Sequence, residues 1–284
     1  MNTYIKKFID KFLNLLIKNF HKSNFFNNQS SVYLENFILF CKKKNTKFYY
    51  DKKSKEFYVE EDSKKIFFSD KIRGFNLYRE GLKKRAKFIF SSYRLEHIIF
   101  LKDDIVIDCG ANYGDLALTL LKIINPSNYF GIEPGPSFIM LKKNVSNNSI
   151  LINKALGKKN ENLPFYVSET EADSSLIETS NFTNILNVPV IKLEDLIKEY
   201  NIKEIKLLKI EAEGYEPEIL EGLGKSLKIC KYIAIDGGYE RGINKEQTFT
   251  TQTNYLINNG FEMVDIFLPY SRALFVNKQF LLDN

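Results

Sequence analysis

Cysteine, histidine and long apolar runs are all scarce in this sequence, and each shortage removes a class of protein. The three cysteines, Cys41, Cys109 and Cys230, are scattered and odd in number, which argues against a disulfide framework and for a reducing compartment. With only His21 and His97 available, no His-rich ligand set exists, and no evenly spaced set of acids replaces one, so no metal is expected. No stretch is long enough and free enough of charge to span a bilayer. At the N-terminus, Ile5, Phe8, Phe12, Leu15 and Leu16 recur at helical spacing between Lys6, Lys7, Lys11 and Lys18. That pattern is an amphipathic helix and not a signal peptide, since the apolar run is broken and no small-residue cleavage site follows. Such a helix packs on its own domain or attaches to a membrane surface or a partner. The expected location is cytoplasmic, with peripheral membrane contact through this helix as the alternative.

What is present is enough to build a full core: 284 residues, 44% hydrophobic and 14% aromatic, a globular composition. Lys and Arg outnumber Asp and Glu by 41 to 35, a modest excess for which solvated faces are the default account. Neither a repeat nor a low-complexity linker marks a boundary. The pattern divides the chain into an N-terminal extension, 1–90, and a larger domain, 91–284. In the extension, Phe48-Tyr49-Tyr50, Phe57-Tyr58-Val59 and Ile66-Phe67-Phe68 alternate with polar turns, as short antiparallel strands do. A helix is expected from Leu77 to Phe100.

The most informative stretch follows. Asp108-Cys109-Gly110-Ala111-Asn112-Tyr113-Gly114 comes directly after the apolar Ile105-Val106-Ile107, giving a strand, a glycine turn and a helix start. Glycines there let the backbone approach a ligand, and amides opening the next helix attract a carboxylate or phosphate. The spacing is not the Gly-x-Gly-x-x-Gly of a dinucleotide site, and the acid Asp108 would repel a pyrophosphate. It suits a cationic ligand such as the ammonium of S-adenosylmethionine. Tyr129 to Glu133 is a second strand ending in an acid, which can accept both ribose hydroxyls.

Downstream, helices at Asp115–Ile124 and Ser137–Val145 alternate with strands at 129–133 and 150–153. A hairpin-like insert covers Leu163–Ile177. Strands at Ile205–Glu211 and Tyr232–Asp236, a helix near Lys245–Asn258, and a closing hairpin of 261–267 with 272–276 complete the series. Strand and helix in alternation imply an α/β fold, a mostly parallel sheet with helices on both faces and ligands at the carboxyl ends of its strands. Within Leu207-Leu208-Lys209-Ile210-Glu211-Ala212-Glu213-Gly214, charge enters what should be a buried strand. Lys209 and Glu211 share a face and can pair with each other or with a ligand. Glu216 and Glu218 are explained by the dipole of the helix that Pro217 opens.

The turn from Asp108 to Gly114, Glu133-Pro134, Ala155-Leu156-Gly157 and Leu208 to Gly214 together resemble the FkbM-type methyltransferase family, over roughly residues 95–242. The resemblance implies a class I Rossmann-like methyltransferase fold with a seven-stranded sheet, S-adenosylmethionine as cofactor, and O-methylation of sugars or related natural products. The family's Lys-x-Asp-x-Glu-Gly motif is met with Glu211 in the aspartate place, and Ser174-Ser175 resemble a family serine near the site. The expected cofactor contacts are Asp108, Gly110, Asn112, Gly114, Glu133, Asn153 and Ala155. The expected acceptor-site residues are Glu211, favoured as general base, with Lys209, Glu213 and Asp236. A small-molecule or glycan acceptor is expected and a nucleic acid is not, since no Asp/Asn-Pro-Pro-aromatic stretch is available to hold a flipped base. Two rival readings stay open: a nucleotide-dependent oxidoreductase, and a non-catalytic or membrane-attached accessory protein.

Overall fold

The structure, a computed structural model, describes residues 27–169 and 171–281. The amphipathic reading of the first 26 residues therefore lies outside the described residues. The chain divides into two compact units between Arg85 and Ala86.

In the first unit, Asn27 caps α1 (Asn28–Cys41) by accepting from the Ser30 amide at 2.9 Å. An antiparallel meander of β1 (Lys47–Asp51), β2 (Glu56–Glu61) and β3 (Lys64–Phe68) follows. Its alternation buries Phe48, Phe57, Val59, Ile66 and Phe68 on one face, where α2 (Lys71–Tyr78) adds Phe75 at 4.8 Å from the Phe48 ring. The helix expected from Leu77 to Phe100 is instead broken twice. Gly81, at φ +97, ends the turn after α2; α3 (Leu82–Ser92) then stops before Arg94, at φ 58, and a 3-10 turn covers Leu95–His97. Apolar spacing alone does not register such left-handed breaks.

The second unit is built on a seven-stranded sheet of β4 (Val106–Cys109), β5 (Tyr129–Ile132), β6 (Ile150–Ile152), β10 (Ile205–Ile210), β11 (Cys230–Asp236), β14 (Phe261–Phe267) and β15 (Arg272–Asn277). In space the order is β14-β15-β11-β10-β4-β5-β6. The pairs among β11, β10, β4, β5 and β6 are parallel, while β15 runs antiparallel to both of its neighbours. The closing hairpin thus slots its second strand inside the sheet and leaves β14 at the edge.

Successive side chains on a strand point to opposite faces, and two cores result. Ile107, Phe130, Leu208, Ile233, Ile235 and Phe275 pack with α6 (Leu193–Glu199), α7 (Glu216–Gly222) and α8 (Phe249–Asn258). Val106, Tyr129, Leu207, Ala234 and Leu274 pack with Ile89, Tyr93 and Leu95, and with α4 (Ala117–Leu120) and α5 (Phe138–Asn144).

Several sequence boundaries move. The helix expected at Asp115–Ile124 is a single α-turn, α4, because turns occupy the residues after Gly114. The insert is longer than the hairpin expected at Leu163–Ile177: β8 (Glu161–Ser168) pairs with β9 (Phe182–Ile191), and β9 also pairs with β7 (Ala155–Leu156). Its return strand is mostly exposed, so no apolar alternation announces it. A small ribbon of β12 (Tyr239–Arg241) and β13 (Glu246–Gln247) delays α8 to Phe249.

Candidate cofactor and acceptor site

The glycine turn is shaped by the neighbouring strand ends. Gly110, Asn112 and Gly114 all have positive φ, at 75, 48 and 87°. A β-carbon on Gly114 would meet the Val145 side chain at 2.6 Å, and one on Gly110 would collide with the Glu211 carbonyl oxygen. Gly110 is thus required by its close approach to its own chain. The amides of Gly110 and Ala111 donate to the Ile132 carbonyl at 2.9 and 3.0 Å, and that of Asn112 to Glu133 Oε2 at 3.0 Å. The amides of residues 110–112 are thus bound to the end of β5 and that of Gly114 to the Ala111 carbonyl, and α4 begins only at Ala117.

Glu133 is 6% exposed. Its Oε1 accepts from the Gly135 amide at 2.8 Å, so amides on both sides fix its carboxylate at the strand end. Asn153 donates from Nδ2 to the Glu133 carbonyl at 2.8 Å and to that of Pro134 at 3.2 Å, which ties the end of β6 to the same corner. Ala155 lies elsewhere: its methyl is buried with Phe165, Val167, Val188 and Val190 in the insert's core.

Strand register explains the second group. Lys209 stands opposite both Asp108 and Ala234, and Asp236 opposite Arg272. With a two-residue repeat, Asp108, Lys209, Glu211, Asp236 and Arg272 share the sheet face that carries Val106, Leu207, Ala234 and Leu274. Lys209 Nζ donates to Glu211 Oε2 at 2.8 Å and to the carbonyls of Cys109 and Gly110 at 3.1 and 2.8 Å, and lies 3.1 Å from Asp108 Oδ1. That last contact is an ion pair without hydrogen-bond alignment, since Oδ1 has no hydrogen-bond partner. Tyr129 donates its hydroxyl to Asp108 Oδ2 at 2.6 Å. Asp108, 1% exposed, is therefore sealed inside the sheet as the anchor of Lys209 and Tyr129.

Arg272 links the remaining acids, reaching Glu211 Oε1 and Asp236 Oδ2, each at 2.6 Å. The fully buried Tyr93 ring lies 4.4 Å from its guanidinium. Lys209 and Arg272 together outweigh burial and hold the Glu211 carboxyl well below the usual range. Around the loop after β10 the balance reverses. Burial, and then the charge of Glu240, raises Glu213 well above its ordinary value. Burial, with Asp236 next, pushes Glu240 up to about 8, and burial, with Glu211 next, raises Asp236.

Glu213 sits at φ 49 and its carbonyl accepts from the Ser175 hydroxyl at 2.8 Å. Ser174 turns to its own hairpin, accepting from the Ser168 amide at 3.0 Å. Glu216 does more than complement a helix dipole: fully buried, it accepts from the Ala212 and Gly214 amides at 2.8 and 3.1 Å and so closes the loop. Among the described residues, no group of three or more His, Cys, Asp or Glu is arranged to hold a metal ion.

Arg272, Glu240 and Tyr93 join this site without a motif to announce them. An arginine opening the otherwise apolar strand Arg272-Ala273-Leu274-Phe275-Val276 is the one available signal.

A seven-stranded sheet of this order, with one antiparallel strand inserted near an edge and acids along the carboxyl ends, defines the class I Rossmann-like methyltransferase fold. The methyltransferase FkbM domain model matches residues 108–267, over half of the chain, and the chain belongs to the FkbM methyltransferase family. Among solved structures it is similar to the methyltransferase FkbM of Methylobacillus flagellatus KT, at 17% identity and a TM-score of 0.45, covering 64% of this chain and 46% of that one. The chain thus spans less than half the length of the Methylobacillus protein. An rRNA methylase from Streptococcus thermophilus matches at 12% identity and a TM-score of 0.38, over 66% of this chain and 96% of that one. A SAM-dependent methyltransferase from Leishmania major matches at 11% and 0.38, over 67% and 70%. No curated protein matches the chain. Among the described residues, no helix is long and apolar enough to cross a membrane.

Proposed function

We propose that the chain transfers a methyl group from S-adenosylmethionine to a hydroxyl of a sugar, a glycan or a related natural product. The observation that carries the reading is the corner where Glu133, held by the Asn112 and Gly135 amides, adjoins the glycine turn at the carboxyl ends of β4 and β5. A fixed carboxylate at that place suits a ribose diol. Asn153 supports it from β6, and the backbone of residues 110–114 forms the adjacent wall. Asp108 acts from below, through Lys209. When bound, the donor supplies a methyl group already activated on a sulfonium.

The protein's share of the chemistry is to orient the acceptor, exclude water and take a hydroxyl proton. Glu211, favoured from the sequence, is poorly suited to accept that proton, because both of its oxygens are held by cations that depress its proton affinity. Glu213 is better suited. Its proton affinity is raised, and Glu240 beside it is a second carboxyl that tunes it. Glu211, Lys209 and Arg272 then position the loop that carries Glu213.

Calorimetry with S-adenosylhomocysteine tests the donor side; folded protein that shows no saturable binding would sink the proposal. For the acceptor, radiolabelled donor offered with nucleotide sugars and glycans, and in parallel with RNA, should label the first pool. Label appearing only in a ribonuclease-sensitive form would overturn the sugar reading.

A further inference from the structure

Helix α1 turns its charge inward and its rings outward. Its one charged residue, Glu35, is fully buried and paired with Arg79 at 2.7 Å. Tyr33, Phe37 and Phe40, spaced so as to share one face, are 66%, 63% and 76% exposed. A solvated helix has the opposite arrangement, and a contiguous exposed apolar patch marks an interaction surface.

Charge beside and beneath the stripe indicates its occupant. Lys42 and Lys43 follow directly on the last helical turn, with Lys43 exposed, while Lys44 pairs with Glu80. Residues 1–85 hold 20 Lys and Arg against nine Asp and Glu, whereas residues 86–284 hold 21 against 26. The chain's whole cationic excess therefore belongs to the unit that displays the rings.

We propose that the outward face of α1 docks on an anionic lipid bilayer, with Tyr33, Phe37 and Phe40 in the interface and Lys42 and Lys43 on the headgroups. Aromatic rings and adjacent lysines are the two components of such binding, apolar burial and attraction to anionic lipid. A nucleic acid would call for cations interleaved with the rings, and no charged residue lies on this face. A second copy would bring two strongly cationic units together. The stripe belongs to the first unit, and lipid binding through it does not depend on methyl transfer.

Cys41 is exposed at the end of the stripe while Cys109 and Cys230 are buried, so one polarity-sensitive maleimide dye on the full chain reports the environment of α1. With phosphatidylserine-containing vesicles the dye emission should shift to the blue and the protein should co-sediment; with neutral phosphatidylcholine vesicles, or at high salt, both effects should shrink. Phe37→Ser with Phe40→Ser, and separately Lys42→Glu with Lys43→Glu, should each lower the partition coefficient about tenfold. Thermal melts verify folding, so failure of the methyl-transfer reading leaves this test intact. Absence of binding to anionic vesicles, or equal binding by folded variants, would overturn the proposal. So would a self-association seen by sedimentation and abolished by the phenylalanine substitutions.

Discussion

The carbonyl oxygen of Glu211 occupies the space where a side chain on Gly110 would begin: a β-carbon there would collide with it. The glycine turn after β4 and the loop after β10 are thereby locked together, and Lys209 adds a second lock by donating to the Gly110 carbonyl at 2.8 Å.

Gly110→Ala should therefore cost more than about 2 kcal/mol, through both the positive φ and the collision with backbone. Urea denaturation measures the loss, and S-adenosylhomocysteine affinity should fall with it. A fully stable variant would show that the contact is slack.

Removing Lys209 leaves Asp108 as an uncompensated buried charge and Glu211 with Arg272 as its remaining cation. Lys209→Met should destabilise by about 3–5 kcal/mol, and adding Asp108→Asn should recover part of that loss. An effect of Lys209→Met below about 1 kcal/mol, the usual value for exposed pairs, would contradict the burial of this network.

Stability should decline from mildly acid to alkaline pH. Burial raises Glu216 from an ordinary 4.5 to about 7 and Glu240 from 4.5 to about 8. Between those values the folded chain holds protons that the unfolded chain has released. Their contribution is therefore fully present below the unfolded pKa and is lost as pH rises through 7 to 8. Urea midpoints across this range should fall in the native protein and fall less in Glu216→Gln. A flat native profile would refute the assignment.

On the proposed mechanism, turnover should rise with pH as the Glu213–Glu240 pair ionises. Glu240→Gln removes a like charge beside Glu213, so the rising limb should move to lower pH. Glu213→Gln should lower kcat by about 100-fold or more with little change in donor affinity. If Glu211→Gln abolished the pH limb and Glu213→Gln left it in place, the base would be Glu211.

Glu133→Ala should weaken S-adenosylhomocysteine binding by at least about tenfold, as expected for loss of a hydrogen bond to a charged group, and should also lower the melting temperature, because the Asn112 and Gly135 amides lose their acceptor. Unaltered affinity would remove the ribose role from Glu133.

The sequence by itself determined the alternation of strands and helices, the strand ends at Asp108, Glu133, Glu211 and Asp236, and the family that carries them. Periodicity and glycine spacing are local properties, and seven strands in series suffice to imply the sheet. Tertiary structure alone decided what those acids do. Asp108 and Lys209 are 101 positions apart in the chain yet share a register position, so no local pattern shows that Asp108 is sealed beneath the turn. Arg272 reaches both Glu211 and Asp236 only because β15 inserts beside β11. That insertion separates the depressed Glu211 from the raised Glu213, two carboxylates the sequence could not tell apart, because the field each one feels comes from charges brought near by folding.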